Sequence, residues 1–272
     1  MTQMRIWLIF LVTLSVLPVS GCGKGPRREG LGGGATTPVS IKLLLDEAPE
    51  KEIEPPENSD EEKATTFGTL RGHIHLQGTE SELAALRASL NLPASPEQAS
   101  LGLPNTFVYL AGQPNADLPS VPQEAVQINF ENGEFAPKAA ILRVGQTLKA
   151  SYKDKGQALF EIQSATKSAR KPVSAKEGLF ETVFEEAEPF PVQLTNQKEP
   201  RRISSLLVIN HPWGAVSNEN GAFEIQGVPA GERKFIIWHE RRGQLSAPLT
   251  VEIPANESVE KEISVKATDL LN

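Results

Sequence analysis

Cysteine is nearly missing from this chain of 272 residues, which holds one, Cys22. An internal disulfide is therefore excluded, as is a metal site of the Cys-x-x-Cys kind. The fold must be held by its apolar core alone. Histidine is scarce, at four residues, and no basic cluster occurs. With a formal charge of −7, that argues against nucleic acid as a partner. No Gly-x-Ser-x-Gly elbow, P-loop or His-Glu-x-x-His motif is present, so no enzyme class announces itself. The longest mainly apolar run, 6–19, falls short of the roughly 20 residues of a membrane-spanning helix. Pro18 would interrupt such a helix as well.

What that run does fit is an export signal. Arg5 supplies the positive start, 6–19 the apolar middle, and Val19-Ser20-Gly21-Cys22 the small-residue pattern that precedes a lipidated cysteine in bacterial lipoproteins. The expectation is a signal peptide over 1–21 and a mature chain that begins at a lipidated Cys22. Acyl chains, each adding roughly 0.8 kcal/mol per buried CH₂, would make a membrane the first partner. Gly23 stands where an aspartate would favour the inner membrane, which points to the outer membrane. Residues 22–66 read as a tether: 30–34 is glycine-rich, and 46–62 is dense in Glu, Asp and Pro with little to bury.

From Phe67 onward, short apolar segments alternate with turn signals. Period-two alternation predicts strands over 70–76, 106–110, 126–130, 140–144 and 147–152. Further strands are expected at 160–163, 179–184, 190–195 and 206–209. Residues 222–225, 227–231 and 234–238 read strand, tight turn, strand, and 249–253 with 259–265 read as the last pair. Asn132-Gly133 between Phe130 and Phe135 is a hairpin turn. Leu83, Leu86 and Leu90 fall at helical spacing within 81–92, after Thr79 or Ser81 as N-cap. Many short strands with one short helix imply an all-β, antiparallel Greek-key sandwich or pair of sandwiches.

Several segments resemble a family of bacterial surface proteins that joins a plastocyanin-like (cupredoxin) domain to a carboxypeptidase-regulatory, or transthyretin-like, module. They are 68–74, 105–110, 128–130 with 135–137, 142–148, and above all 206–213, 215–221, 223–225, 228–231 and 238–240. The Asn-Gly-x-Phe and Pro-x-Gly turns are also similar to the fibronectin-like, non-catalytic middle domain of rhamnogalacturonan lyases. The resemblance implies first strands and helix over 67–125 that pack with the C-terminal module, a cupredoxin-like sandwich over 126–209, a transthyretin-like module over 210–268, and a tail, 269–272. It also implies a copper loop of cysteine, histidine and methionine. There this chain has Asn196, Glu199 and Arg202, and no histidine lies between His75 and His211. Amide, carboxylate and guanidinium cannot replace thiolate, imidazole and thioether on copper, so no cofactor is expected.

The remaining candidates are few. His73 and His75, two apart on one strand, face one side and would bind a metal if His211 and His239 converged on them. Trp213 and Trp238 would form a sugar platform if exposed side by side. Asp154, Glu181, Glu185 and Glu186 supply carboxylates without an acid–base spacing. The chain therefore reads as a non-enzymatic, lipid-anchored envelope protein with a structural or binding role and a carbohydrate or envelope protein as partner. Carbohydrate binding and metal binding stand as alternatives.

Overall fold

Alternation of buried and exposed positions builds the first strand, β1, Phe67–Gln77, in which Leu70, Ile74 and Leu76 turn inward while Arg71 and His73 face solvent. The structure, a computed structural model, describes residues 64–90, 101–176 and 178–271. The expected signal, Cys22 and the acidic tether lie outside the described residues.

After β1 comes α1, Glu80–Leu90, which starts at Thr79. The Thr79 hydroxyl accepts the Glu82 N–H at 3.3 Å, and the Glu82 carboxylate accepts the Thr79 N–H at 2.7 Å. This reciprocal cap satisfies two helix-end donors at once. Leu86 is fully buried, and Leu83 and Leu90 pack on the same core, so the helix is stapled to the sandwich by the expected leucines. The short β2, Leu101–Gly102, and β3, Phe107–Leu110, follow.

Nine strands come next: β4 Val126–Glu131, β5 Glu134–Ala136, β6 Ala139–Arg143, β7 Thr147–Tyr152, β8 Gln157–Gln163, β9 Ser168–Ser174, β10 Phe180–Val183, β11 Val192–Asn196 and β12 Ile203–Ile209. The chain then runs through β13 Gly214–Val216, β14 Ala222–Pro229, β15 Gly231–His239, β16 Gly243–Gln244, β17 Leu249–Ile253, β18 Ser258–Lys266 and α2 Thr268–Leu271.

These strands make two sandwiches. In the first, a sheet ordered β14-β1-β18, with β2 on β1, faces a sheet ordered β13-β3-β15, with β16 and β17 on β15. Leu70, Ile74, Val108, Trp213, Phe235 and Val251 fill the space between them. The second, inserted between β3 and β13, sets β10-β7-β4-β5 against β6-β12-β11-β8-β9. Its core includes Phe130, Leu142, Phe160, Leu194, Leu206 and Val208. A third apolar cluster joins the two: Phe107 and Tyr109 of β3 meet Ala139 of β6 and Leu207 and Ile209 of β12. Strands β3 and β12 are thus buried on both faces, which accounts for the unbroken apolar runs Phe107-Val-Tyr-Leu110 and Leu206-Leu-Val-Ile209.

Most ladders are antiparallel, but β1 with β18, β6 with β12 and β4 with β7 run parallel. The expected last pair does not form: β17 pairs with β15 and β18 with β1, so the chain changes sheet between them. Strands β14 and β15 likewise belong to opposite sheets, and the Pro229-Ala230-Gly231 corner carries the chain across. Strand β9 was not expected from the sequence. It is a sheet edge whose Arg170, Lys171 and Pro172 are exposed, and such residues suppress edge-to-edge pairing while hiding the strand pattern. The strand expected from 190 begins at Val192, and Phe190 is 70% exposed.

Two turns show why particular residues are needed. Asn132 (φ 55°) and Gly133 (φ 78°) close the β4–β5 hairpin with Phe130 opposite Phe135. At Gly221 (φ 79°), a Cβ would sit 2.1 Å from the Ile74 carbonyl oxygen, so only glycine lets this turn reach β1.

Candidate functional site

The segment 196–202 closes one end of the inserted sandwich through successive turns: Glu199 N–H donates to the Asn196 carbonyl, and Arg202 N–H to that of Glu199. Asn196, the last residue of β11, is fully buried opposite Phe160 of β8. Its Oδ1 accepts the Lys198 N–H at 3.1 Å, and its Nδ2 has no partner among the described residues. Arg202 points the other way and pairs with Glu134 at 2.9 Å. Phe130, Phe135, Tyr152 and Phe160 pack together in this core, with ring centroids 4.8 to 6.2 Å apart.

The four histidines are not brought together. His73 and His75 lie on the outer side of β1, where His75 meets Ser264 at 2.7 Å and Glu262 at 3.4 Å. His211 and His239 are buried at opposite ends of β3: His211 hydrogen-bonds to the backbone of Leu110, and His239 follows Trp238, which pairs with Phe107. Among the described residues no group of three or more His, Cys, Asp or Glu side chains is arranged to hold a metal ion. Burial pushes His211 down to about 4; the Leu110 bond opposes this and the nearby Arg143 charge adds to it. Burial, then the charge of Arg241, pushes His239 down to about 4 as well. Each ring accepts a backbone N–H on Nδ1, from Trp213 and Arg241 respectively, both at 3.3 Å.

The tryptophans face different clusters. Trp213 is 1% exposed in the core of the first sandwich, stacked on His211, and its indole N–H donates to the Gly227 carbonyl at 2.5 Å. Trp238 packs in the seam against Phe107, with ring centroids 5.8 Å apart. A flat sugar platform needs both rings on one open surface, whereas Trp213 is enclosed in the first sandwich's core and Trp238 of β15 faces the seam. Two of the four carboxylates have structural duties. Asp154 accepts the N–H groups of Asn132 and Gly133 at 2.7 and 2.9 Å, and Glu181 pairs with Lys149 at 3.4 Å. Glu185 and Glu186 are exposed.

No sequence-family profile and no curated protein matches the chain. Solved structures do match. A purple cupredoxin from Nitrosopumilus maritimus aligns at 20% identity, covering 30% of this chain and 98% of that one, with a TM-score of 0.26. An oxidised amicyanin mutant aligns at 12% identity over 34% of this chain and 96% of that one, with a TM-score of 0.28. A reduced amicyanin mutant aligns at 14% identity with the same coverages and TM-score. Each likeness concerns fold alone, over about a third of the chain.

The residues at the expected copper loop do not fit a copper ion of the thiolate, imidazole and thioether kind. Asn196 offers an amide whose oxygen is already taken, Glu199 a carboxylate, and Arg202 a guanidinium held by Glu134. None is a soft or imidazole ligand.

A different site stands at the seam. Lys138, Arg201, Arg202, Arg241, Glu134 and Glu240 surround a cavity of about 160 Å³ between the two sandwiches. It adjoins a wider groove of about 630 Å³ that shares Asn105, Glu134 and Lys138. Glu134 holds Arg202 at 2.9 Å and Lys138 at 3.3 Å. Arg241 donates to the Ser89 carbonyl at 2.6 Å, tying the β15–β16 turn to the end of α1. Burial pushes the Glu240 carboxyl up, with Arg241, Ser205 and Lys138 acting in the opposite direction. Sequence reasoning missed this cluster because its members come from three separate segments. The pairs Arg201-Arg202 and Arg241-Arg242 were the local signals.

Proposed function

We propose that this chain is a non-enzymatic protein of the bacterial cell envelope. Lipid on Cys22 holds it at a membrane, and two fused β-sandwiches present a binding surface. The observation that carries this reading is the apolar seam of Phe107, Tyr109, Leu207 and Ile209, which turns two modules into one stiff body with a polar cleft at the junction. Preorganised clefts bind without an ordering cost. The buried histidines support a structural role, since each ring nitrogen Nδ1 is engaged by backbone rather than by a hydroxyl nucleophile. Among the described residues no helix is long and apolar enough to cross a membrane, and attachment is assigned to the lipid.

The test has two arms. Cells expressing the full chain and its Cys22→Ser variant are fractionated; the parent is expected in the membrane pellet and the variant in the soluble fraction. The purified full chain is then screened on a glycan and envelope-protein panel, with product analysis by mass spectrometry. Binding without turnover is expected. Membrane retention of the variant would remove the anchor from this account, and turnover of any panel compound would remove its non-enzymatic part.

A further inference from the structure

We propose that the seam cleft is an oxyanion-binding site, taking the carboxylate or phosphate group of a small ligand or chain end, with Arg201 and Arg202 as its principal donors and Lys138 and Arg241 completing it. This inference rests on the reading of the protein as a non-catalytic binder and names the chemistry of the ligand.

Charge comes first. The chain as a whole is acidic, at −7, yet four cations and two carboxylates gather here. Glu134 is shared between Lys138 and Arg202, so one negative charge answers two positive ones. Glu240 is recessed, accepting from the Ser205 hydroxyl at 3.5 Å, and burial disfavours its charged form. Positive charge is therefore left over in a concave site, where low-dielectric walls concentrate the field.

Geometry comes second. Three of the cations are held at the cavity wall: Arg202 and Lys138 by Glu134, Arg241 by the Ser89 carbonyl. A guanidinium fixed through one nitrogen keeps further N–H donors in a planar fork suited to an oxyanion. Arg201 and Arg202 sit at the end of one tight turn, and both line the cavity. A water occupies about 30 Å³ in the liquid, so the cavity accommodates one acid group with its immediate carbon or phosphorus skeleton. The adjoining groove offers Asn105, Asn132 and Glu131 to the uncharged remainder of the ligand.

The experiment is isothermal titration of the purified full chain at low ionic strength with D-glucuronate, inorganic phosphate and neutral D-glucose. At least one of the two anions is expected to bind and glucose is not. Glucuronate alone would identify a sugar acid as the source of the charge, and phosphate alone a phosphorylated ligand. Arg201→Gln with Arg202→Gln is expected to weaken anion binding tenfold or more. Lys138→Gln, which leaves both arginines in place, is expected to weaken it several-fold, and salt should weaken it in the parent. Melting temperatures report whether each variant folds; if the double variant does not, Arg201→Gln alone takes its place. Absence of binding by both anions, equal binding of glucose, or unchanged affinity in the folded arginine variant would overturn the site while leaving the non-enzymatic reading intact. Turnover of a probe would sink that reading instead.

Discussion

His211 lies stacked on Trp213, with ring centroids 5.5 Å apart and planes 26° from parallel, and its Nδ1 accepts the Trp213 backbone N–H. The bond requires a neutral nitrogen, so protonation breaks it while placing a charge in the core near Arg143. His239 is in the same position beside Arg241.

Acid should therefore loosen the protein well above the carboxylate range. Both histidines titrate at about 4 when folded and at an ordinary value near 6.5 when unfolded. Between those values the unfolded chain binds the extra protons, so stability is full above pH 6.5 and falls as pH drops toward 4. The loss by pH 4.5 is expected to be about 2 to 3 kcal/mol per histidine. Urea unfolding at pH 7 and 4.5 reads it, and His239→Gln should show a shallower decline. Equal stability at the two pH values would contradict the assignment.

Glu188 is expected to matter more than its loop position suggests. It is 6% exposed, and its carboxylate accepts from the Ser164 hydroxyl at 2.5 Å, the Thr166 hydroxyl, and the N–H groups of Ala165 and Thr166 at 3.2 and 3.3 Å. Glu188→Ala strands these donors and should cost at least about 2 kcal/mol. Glu188→Gln, which keeps one acceptor oxygen, should cost less. Thermal melts rank the two.

Two glycines separate backbone strain from collision. Gly145 (φ 84°) has open space around its absent Cβ, whereas Gly221 (φ 79°) faces the Ile74 carbonyl at 2.1 Å. Gly145→Ala should cost about 1 kcal/mol. Gly221→Ala should cost clearly more, because β1 must move. Chemical denaturation of both variants checks the order, and a reversed order would count against the close approach at β1.

The seam should make the sandwiches unfold together. Leu207→Ala removes a side chain that is 1% exposed between them and should cost about 2 to 5 kcal/mol. Calorimetry of the parent is expected to give a single transition. In the variant, tryptophan fluorescence, which reports Trp213 and Trp238 once the expected signal with Trp7 is left off, should begin to separate from far-ultraviolet circular dichroism.

Asn196→Cys should not yield a blue copper protein. The new thiol would lie buried at the end of β11, but the loop still supplies Glu199 and Arg202, neither a copper ligand of that type. An intense blue band on copper addition would be the contrary result.

Much of the architecture was legible because burial writes a period of two into strands such as β1, β4 and β7, and because Asn132-Gly133 carries a local conformational demand; of the two caps offered, Thr79 and Ser81, the structure uses Thr79. Strand β9 was not legible, since an exposed edge carries no apolar alternation. Nor was the sheet membership of β17 and β18, which long-range pairing decides. The histidine and tryptophan candidates were visible as residues, but their separation depends on where long-range pairing places β1, the β12–β13 connection and the end of β15. The cationic cleft was hidden for a plainer reason: Lys138, Arg201 and Arg241 are neighbours only after folding.

The first sandwich is interrupted by the second, and the contact between His75 and Ser264 spans 189 positions of sequence. A ribosome making this chain completes every strand of the inserted sandwich before it releases β13, so the inner unit can close while β1 and β3 still wait for partners. Until β15 and β18 emerge, both early strands present bare edges and apolar faces, the condition in which nascent chains aggregate. Any route that threads the polypeptide unfolded across a membrane would meet the same interval on the far side, because the strands again emerge in order.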